Sequence, residues 1–147
     1  MKKFALQTEH KKILADTLTP VSAYLKLRDV FPHSLLLESS DYHANNNDFS
    51  YICCNPIASI ELKNGQLTTA YPDGGRTVDI VDETVDIPEK IHQFSQQFDN
   101  EVFPFKFISN GIFGYVAHDA VDQFENIQLN KAKPGHDIPD IYYAVYQ

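Results

Sequence analysis

The dipeptide Asn64-Gly65 stands between two alternating apolar runs, and it constrains the fold more than any other feature of the chain. Asn-Gly tolerates the positive φ angles of a two-residue hairpin turn. In the preceding run, residues 57–62, alternation places Ile60 and Leu62 on one side of a strand and Glu61 on the other. The following run provides the return strand, so we expect an antiparallel meander with local connections.

Two segments carry the start signals of amphipathic helices. Thr19 can cap a helix over residues 20–31, because proline at the first helical position loses no needed hydrogen bond. The proline at position 32 ends this helix, whose apolar face we expect to meet a sheet. A second helix is predicted over residues 88–98, with an apolar stripe at helical spacing. Helices on an antiparallel sheet give an α+β fold class.

Further apolar runs predict more strands, over residues 35–39, 49–54, 110–117 and 141–146, and a first strand within 4–16. We expect a helical turn over residues 118–125 and leave the acidic, β-branched segment 76–86 unassigned, because it could run along a sheet edge. A terminal strand needs partners. We therefore expect that the chain ends inside a longer protein, where the sheet could continue.

Composition and charge exclude several classes of protein. The chain has 147 residues, enough for one domain with a core, and a formal net charge of -8. That charge argues against nucleic acid and anionic membranes as partners. Neither a signal peptide nor a membrane span is evident. Cys53 and Cys54 are adjacent, so they cannot close an ordinary loop, and buried, reduced thiols in a cytoplasmic protein are the simplest interpretation.

The sequence lacks the motifs of common enzyme sites. We find no Ser-His-Asp order with supporting glycines, no phosphate loop and no metal signature. Gly111 and Gly114 lack the third glycine and the helix of a dinucleotide loop, so close approach of two backbones is the better interpretation. His118 and Asp119 would face opposite ways on a strand. We therefore assign no catalytic, cofactor-binding or metal-binding residue.

One candidate binding site lies where the apolar run 35–37 ends. We expect a buried strand whose end offers Glu38, Ser39 and Ser40, followed by a polar loop over residues 41–48. Glu38 could pair with the ammonium group of a small ligand, and either serine could hydrogen-bond beside it. The alternative is a strand that simply exits into solvent, where these residue types are ordinary.

Four elements, in order, resemble anthranilate synthase component I. Residues 35–40, LLLESS, resemble the family's leucine-rich LLES strand. Phe49-Ser50-Tyr51, followed by Asn55-Pro56, is similar to its YSF-like strand and proline turn. Residues 110–125, NGIFGYVAHDAVDQFE, resemble the element GGLxGYxxYDxVRxxE, and the ending DIPDIYYAVYQ resembles the Pro-Asp strand that follows. The resemblance covers roughly residues 19–147.

The resemblance implies an α+β fold with antiparallel β-sheets packed orthogonally and flanked by helices. It identifies residues 1–147 as a single domain, the N-terminal regulatory portion of an enzyme that converts chorismate and glutamine or ammonia to anthranilate and pyruvate. The chorismate-binding catalytic region would be absent, so this portion alone is expected to be inactive. The whole enzyme would use Mg²⁺ and a glutamine amidotransferase subunit, and this portion would contact its own C-terminal catalytic region.

The resemblance also implies a site for L-tryptophan as feedback inhibitor. Glu38 would meet the amino group of the ligand, Ser39 and Ser50 would line the site, and Leu37 would flank the indole. The chain departs from the family where Asp48 replaces an Arg that often precedes the YSF element. His118 and Asp122 likewise replace the Tyr and Arg of the third element.

Two other interpretations remain open. The chain could be the matching part of aminodeoxychorismate synthase component I, which makes precursors of 4-aminobenzoate. It could also be a stand-alone amino-acid-binding module with no enzyme attached. Continuation of the gene into a chorismate-binding domain would exclude the second.

Overall fold

The computed structural model describes residues 2–38, 49–100, 104–105, 107–108, 110–125, 127 and 137–147. Ser39, Ser40 and the loop predicted over residues 41–48 lie outside these ranges. The elements in chain order are β1 (Phe4–Leu6), α1 (Pro20–Leu27), β2 (Leu35–Glu38), β3 (Ser50–Cys53), β4 (Pro56–Lys63), β5 (Gln66–Ala70), β6 (Arg76–Ile80), α2 (Ile87–Ser95), β7 (Phe98–Asn100), β8 (Phe113–Val116), a 3₁₀ helix (His118–Gln123) and β9 (Ile141–Tyr146).

A five-stranded antiparallel sheet has the order β6-β5-β4-β9-β8. The predicted hairpin joins β4 to β5, and Asn64 and Gly65 have φ angles of 52° and 72°. This confirms the meander, which β6 extends at the edge. The last strand, β9, pairs with both β4 and β8, so its two edges are occupied. The α+β class with an antiparallel sheet is confirmed.

The core lies between one face of this sheet and α2. Ile60 and Leu67 of the sheet are each 1% exposed, as is Phe94 of α2. Helix α2 begins one residue before the predicted start, at Ile87, because the carboxylate of Asp86 accepts a hydrogen bond from the backbone N–H three residues further on, at Glu89 (2.9 Å). As the alternation in β4 predicted, the apolar side chains of this strand lie in the core.

Strands β1 and β7 form a parallel pair that the sequence did not indicate. The predicted second helix was wrong at its end: it stops at Ser95, and Phe98 belongs to β7. Phe98 remains buried as a strand residue, with its ring 5.7 Å from that of Phe4 and 5.1 Å from that of Phe94. Pairing with β1 provides partners for the backbone hydrogen-bonding groups of β7, and the Phe98 side chain stays buried.

Helix α1 also differs from its prediction. Thr19 forms the expected cap: its hydroxyl oxygen accepts a hydrogen bond from the Ser22 N–H, and the Ser22 hydroxyl oxygen accepts one from the Thr19 N–H. The helix ends at Leu27 and not at residue 31. The N–H groups at positions 30 and 31 both donate to the Leu27 carbonyl, which tightens the chain into a turn. Val30 is 67% exposed, so continuing the helix would bury little. No residue of α1 is buried, and it contacts β2 and β3.

Gly114 confirms the predicted close approach of two backbones. It lies in β8 opposite Tyr143 of β9. A Cβ atom added at Gly114 would overlap the carbonyl oxygen of Tyr142 and lie 2.8 Å from the Cα atom of Tyr143. Only glycine fits this position without moving a strand.

Candidate binding site

Strands β2 and β3 form an antiparallel two-stranded ribbon that carries the predicted site. Its register pairs Leu35 with Cys53, Leu36 with Ile52, Leu37 with Tyr51, and Glu38 with Ser50. Directly opposed residues of an antiparallel pair share one face, with Cβ atoms about 5 Å apart. The register therefore decides which of the predicted residues can act together.

Glu38 and Ser50 are cross-strand partners at the end of the ribbon, on one face. Both are exposed, so a ligand can approach them from solvent. Leu37 pairs with Tyr51 on the other face. The expectation of a buried strand was wrong: the strand belongs to a two-stranded ribbon, and its three leucines are only half-buried. The predicted residue Ser39 lies outside the described residues.

A cleft of about 720 Å³ is lined by Ser50 and Tyr51 of this ribbon. One side of the cleft is aromatic: the rings of Phe49 and Phe107 are 5.5 Å apart, and Phe105 stacks on Phe107 at 4.9 Å with an interplanar angle of 6°. The polar segment 8–12 also lines the cleft. An apolar wall with a few polar groups is typical of small-molecule sites, which measure about 300–1,000 Å³.

A second cavity of about 840 Å³ shares Tyr51 with the first and extends along β1 and β8. The amide nitrogen of Asn110 donates to the Thr8 hydroxyl at 3.1 Å, which ties the N-terminal segment across it. The Tyr51 hydroxyl accepts a hydrogen bond from the backbone N–H of Ile108 at 3.2 Å. The second of these bonds joins the ribbon to Ile108, which lines both cavities.

The two cysteines are free thiols of low reactivity. Burial, and to a lesser extent the neighbouring Cys54, raises the pKa of Cys53 to about 11. Burial also raises the pKa of Cys54, which is half-buried and not fully buried as expected. Because the thiolate is the nucleophile, these raised pKa values oppose a catalytic role.

His118 and Asp119 lie on the 3₁₀ helix, not on a strand, and Nδ1 of His118 is 3.5 Å from the Asp119 carboxylate. This helix confirms the helical turn predicted from residue 118, whereas the expectation that the two side chains face apart was wrong, because it held only for a strand. Both side chains are largely exposed. In the described part of the chain, no group of three or more His, Cys, Asp or Glu side chains could hold a metal ion.

Sequence reasoning missed the two walls of the cleft. Lys11 and Lys12 were noted only as a pair of like charges, and the aromatic run containing Phe105 and Phe107 was not placed on any element. Both signals were visible in the sequence. The sequence did not show that the two segments line one cleft with Ser50, because neither segment belongs to a regular element.

Comparison with known proteins places the chain beside one enzyme component. It is 30% identical over 139 residues to anthranilate synthase component 1 of Lactococcus lactis, covering 93% of this chain and 28% of that protein. The Thermus thermophilus protein of the same name is 31% identical over 135 residues, covering 91% and 27%. The Mycolicibacterium smegmatis one is 27% identical over 135 residues, covering 84% and 24%.

No family model matches the chain. Among the described residues, no helix is both long and apolar enough to cross a membrane. The chain spans roughly a quarter of the length of the curated relatives it matches. It is homologous to the N-terminal region of anthranilate synthase component 1.

Proposed function

We propose that this chain is the N-terminal, regulatory part of an anthranilate synthase component 1 and that it binds L-tryptophan at the end of the β2–β3 ribbon. The observation that supports this most strongly is the cross-strand pairing of Glu38 with Ser50. It brings a carboxylate and a hydroxyl together on an exposed face of the strand that resembles the family's effector strand. The homology to the same region of three bacterial synthase components supports the assignment.

The chemistry of the site suits an amino acid. The Glu38 carboxylate is a partner for the ammonium group of the ligand, and the Ser50 hydroxyl can donate or accept a hydrogen bond beside it. Ser39 would complete the lining of the site. The register turns Leu37 to the opposite face of the ribbon, so its expected contact with the indole does not fit a ligand bound at Glu38 and Ser50. The aromatic cleft that Ser50 lines adds further apolar surface for the ring.

The proposed whole enzyme converts chorismate and glutamine or ammonia to anthranilate and pyruvate in the cytoplasm, for tryptophan biosynthesis. This part contributes no catalytic residue and is inactive alone. Its partners are its own C-terminal catalytic region and a glutamine amidotransferase subunit. The whole enzyme would use Mg²⁺, and we assign no ligand of this cation to the present part.

In the whole enzyme, the effector would act by changing the affinity for chorismate. Linkage requires chorismate to weaken tryptophan binding by the same factor by which tryptophan weakens chorismate binding. Tryptophan affinity should therefore fall when the whole enzyme is saturated with chorismate. Equal affinity with and without chorismate would contradict this regulation.

Calorimetric titration of the chain with L-tryptophan tests the site. Glu38→Gln keeps the side chain's size and removes its charge, and it should weaken binding about tenfold to a hundredfold. Ser39→Phe should abolish binding. Glu83→Gln, an exposed position between β6 and α2, is the matched control and should bind as the wild type does. Equal binding by Glu38→Gln and wild type would refute the site.

A further inference from the structure

We propose that the aromatic cleft beside Ser50 recognises the carboxylate of an aromatic amino acid through Lys11 and Lys12, with the ring held against Phe49 and Phe107. This inference rests on the proposed function, because it names the groups that bind the second charged end of the effector. Neither the lysines nor the two rings were predicted as site residues. The cleft's shape, its rings and its charges carry the argument.

The aromatic wall suits a flat ring. The centroids of Phe49 and Phe107 are 5.5 Å apart with an interplanar angle of 53°. Phe105 stacks parallel to Phe107, and the His10 ring meets Phe105 edge-on at 5.1 Å. Rings held in this way lose little freedom on binding, and aromatic pairs contribute beyond simple area burial.

The lining of the cleft also carries positive charge, in a chain whose net charge is -8. Lys11 and Lys12 both line the cleft and both are exposed. By contrast, other lysines pair with aspartates elsewhere on the surface: Lys2 with Asp73, Lys3 with Asp99, Lys63 with Asp137, and Lys90 with Asp79. Glu9 also lines the cleft, so the described lining residues carry two positive charges and one negative charge, with His10 neutral.

An amino acid carries an ammonium group and a carboxylate, so its site needs a negatively and a positively charged partner. Glu38 supplies a negative partner for the ammonium group, and Ser50 links that ribbon end to the cleft. A carboxylate transferred from water toward an apolar wall needs a compensating cation or hydrogen bonds. The lysine pair provides the cations at the cleft that Ser50 lines. We therefore assign the carboxylate of the ligand to the lysine pair, whereas Glu38, which does not line the cleft, keeps the ammonium group assigned to it in the proposed function.

The test is a titration with two ligands, L-tryptophan and L-tryptophanamide, which keeps the indole and the ammonium group but has no carboxylate. The double variant Lys11→Gln/Lys12→Gln should bind L-tryptophan about tenfold more weakly than the wild type. Its affinity for the amide should stay within about twofold. Lys26→Gln, an exposed lysine on α1, is the control and should change neither affinity.

Salt provides a second readout. Because exposed charges are screened, raising the ionic strength should weaken L-tryptophan binding by the wild type more than by the double variant. Equal losses for both ligands in the double variant, or no loss for L-tryptophan, would overturn the inference. The proposed function would survive either result if Glu38→Gln still weakened binding.

A wild-type chain that binds no L-tryptophan would instead refute the proposed function. The cleft can then be tested separately with indole-3-propionate, an aromatic carboxylate without an ammonium group. Saturable binding that the double lysine variant loses would uphold the recognition of aromatic carboxylates. The absence of binding, or equal binding by both proteins, would overturn the inference as well.

Discussion

Gly114→Ala should be among the most destabilising single substitutions in the sheet. The added Cβ would overlap the Tyr142 carbonyl oxygen and lie 2.8 Å from the Tyr143 Cα atom, whereas carbon atoms in contact prefer about 3.5–4.0 Å. Strand β8 would have to retreat by about 1 Å along its whole pairing with β9. Overpacking costs about 1–3 kcal/mol when side chains can yield. Here both obstacles are backbone, so we expect a loss of at least about 3 kcal/mol.

Urea unfolding followed by far-ultraviolet circular dichroism measures this loss. The control is Gly65→Ala, where φ is 72° but no atom lies within 4 Å of the added Cβ, so only backbone strain of about 1 kcal/mol is introduced. The difference between the two variants isolates the steric contact with β9. A Gly114→Ala protein as stable as Gly65→Ala would refute the close approach of β8 to β9.

Three further predictions concern stability. Phe94→Ala should lower the free energy of unfolding by about 3–5 kcal/mol in urea titrations, because this ring is 1% exposed between helix and sheet. Asp86→Ala should cost about 1 kcal/mol by the same assay, and Asp86→Asn much less, because asparagine also accepts the bond from the Glu89 N–H. The folded pKa of Cys53 is raised from 9.0 to about 11, so the stability that burying its neutral thiol contributes is present below pH 9 and lost as the pH rises toward 11. Thermal unfolding across that range should therefore show a smaller alkaline loss in Cys53→Ala than in the wild type, and equal losses would contradict the assignment.

Local signals predicted much of the fold. The hairpin at Asn64-Gly65 and the cap at Thr19 are decided by a few neighbouring residues, and both formed as expected. The ends of elements were less predictable. Val30 lies within the predicted range of the first helix, yet the helix stops before it, and its side chain is exposed.

Contacts between distant parts of the chain could not be predicted. Nothing near Phe4 or Phe98 indicates that these residues pair in a parallel ribbon, because parallel pairing depends on where the whole chain returns. In the candidate site, too, single residues could be predicted but their contacts could not. The sequence indicated Glu38 and Ser50 as site residues, but only the register made them partners across one face. Lys11 lines the cleft but lies in a segment without regular structure, so no pattern in the sequence predicted its position.

The most direct test of the proposed effector site is to map L-tryptophan binding by amide chemical shifts. The chain contains no tryptophan, so indole signals come from the ligand alone. The account predicts saturable shifts at Glu38, Ser50 and Tyr51, with little change at the distant hairpin around Gly65. Saturable shifts confined to other elements, or no shifts at all, would contradict an effector site at the end of the β2–β3 ribbon.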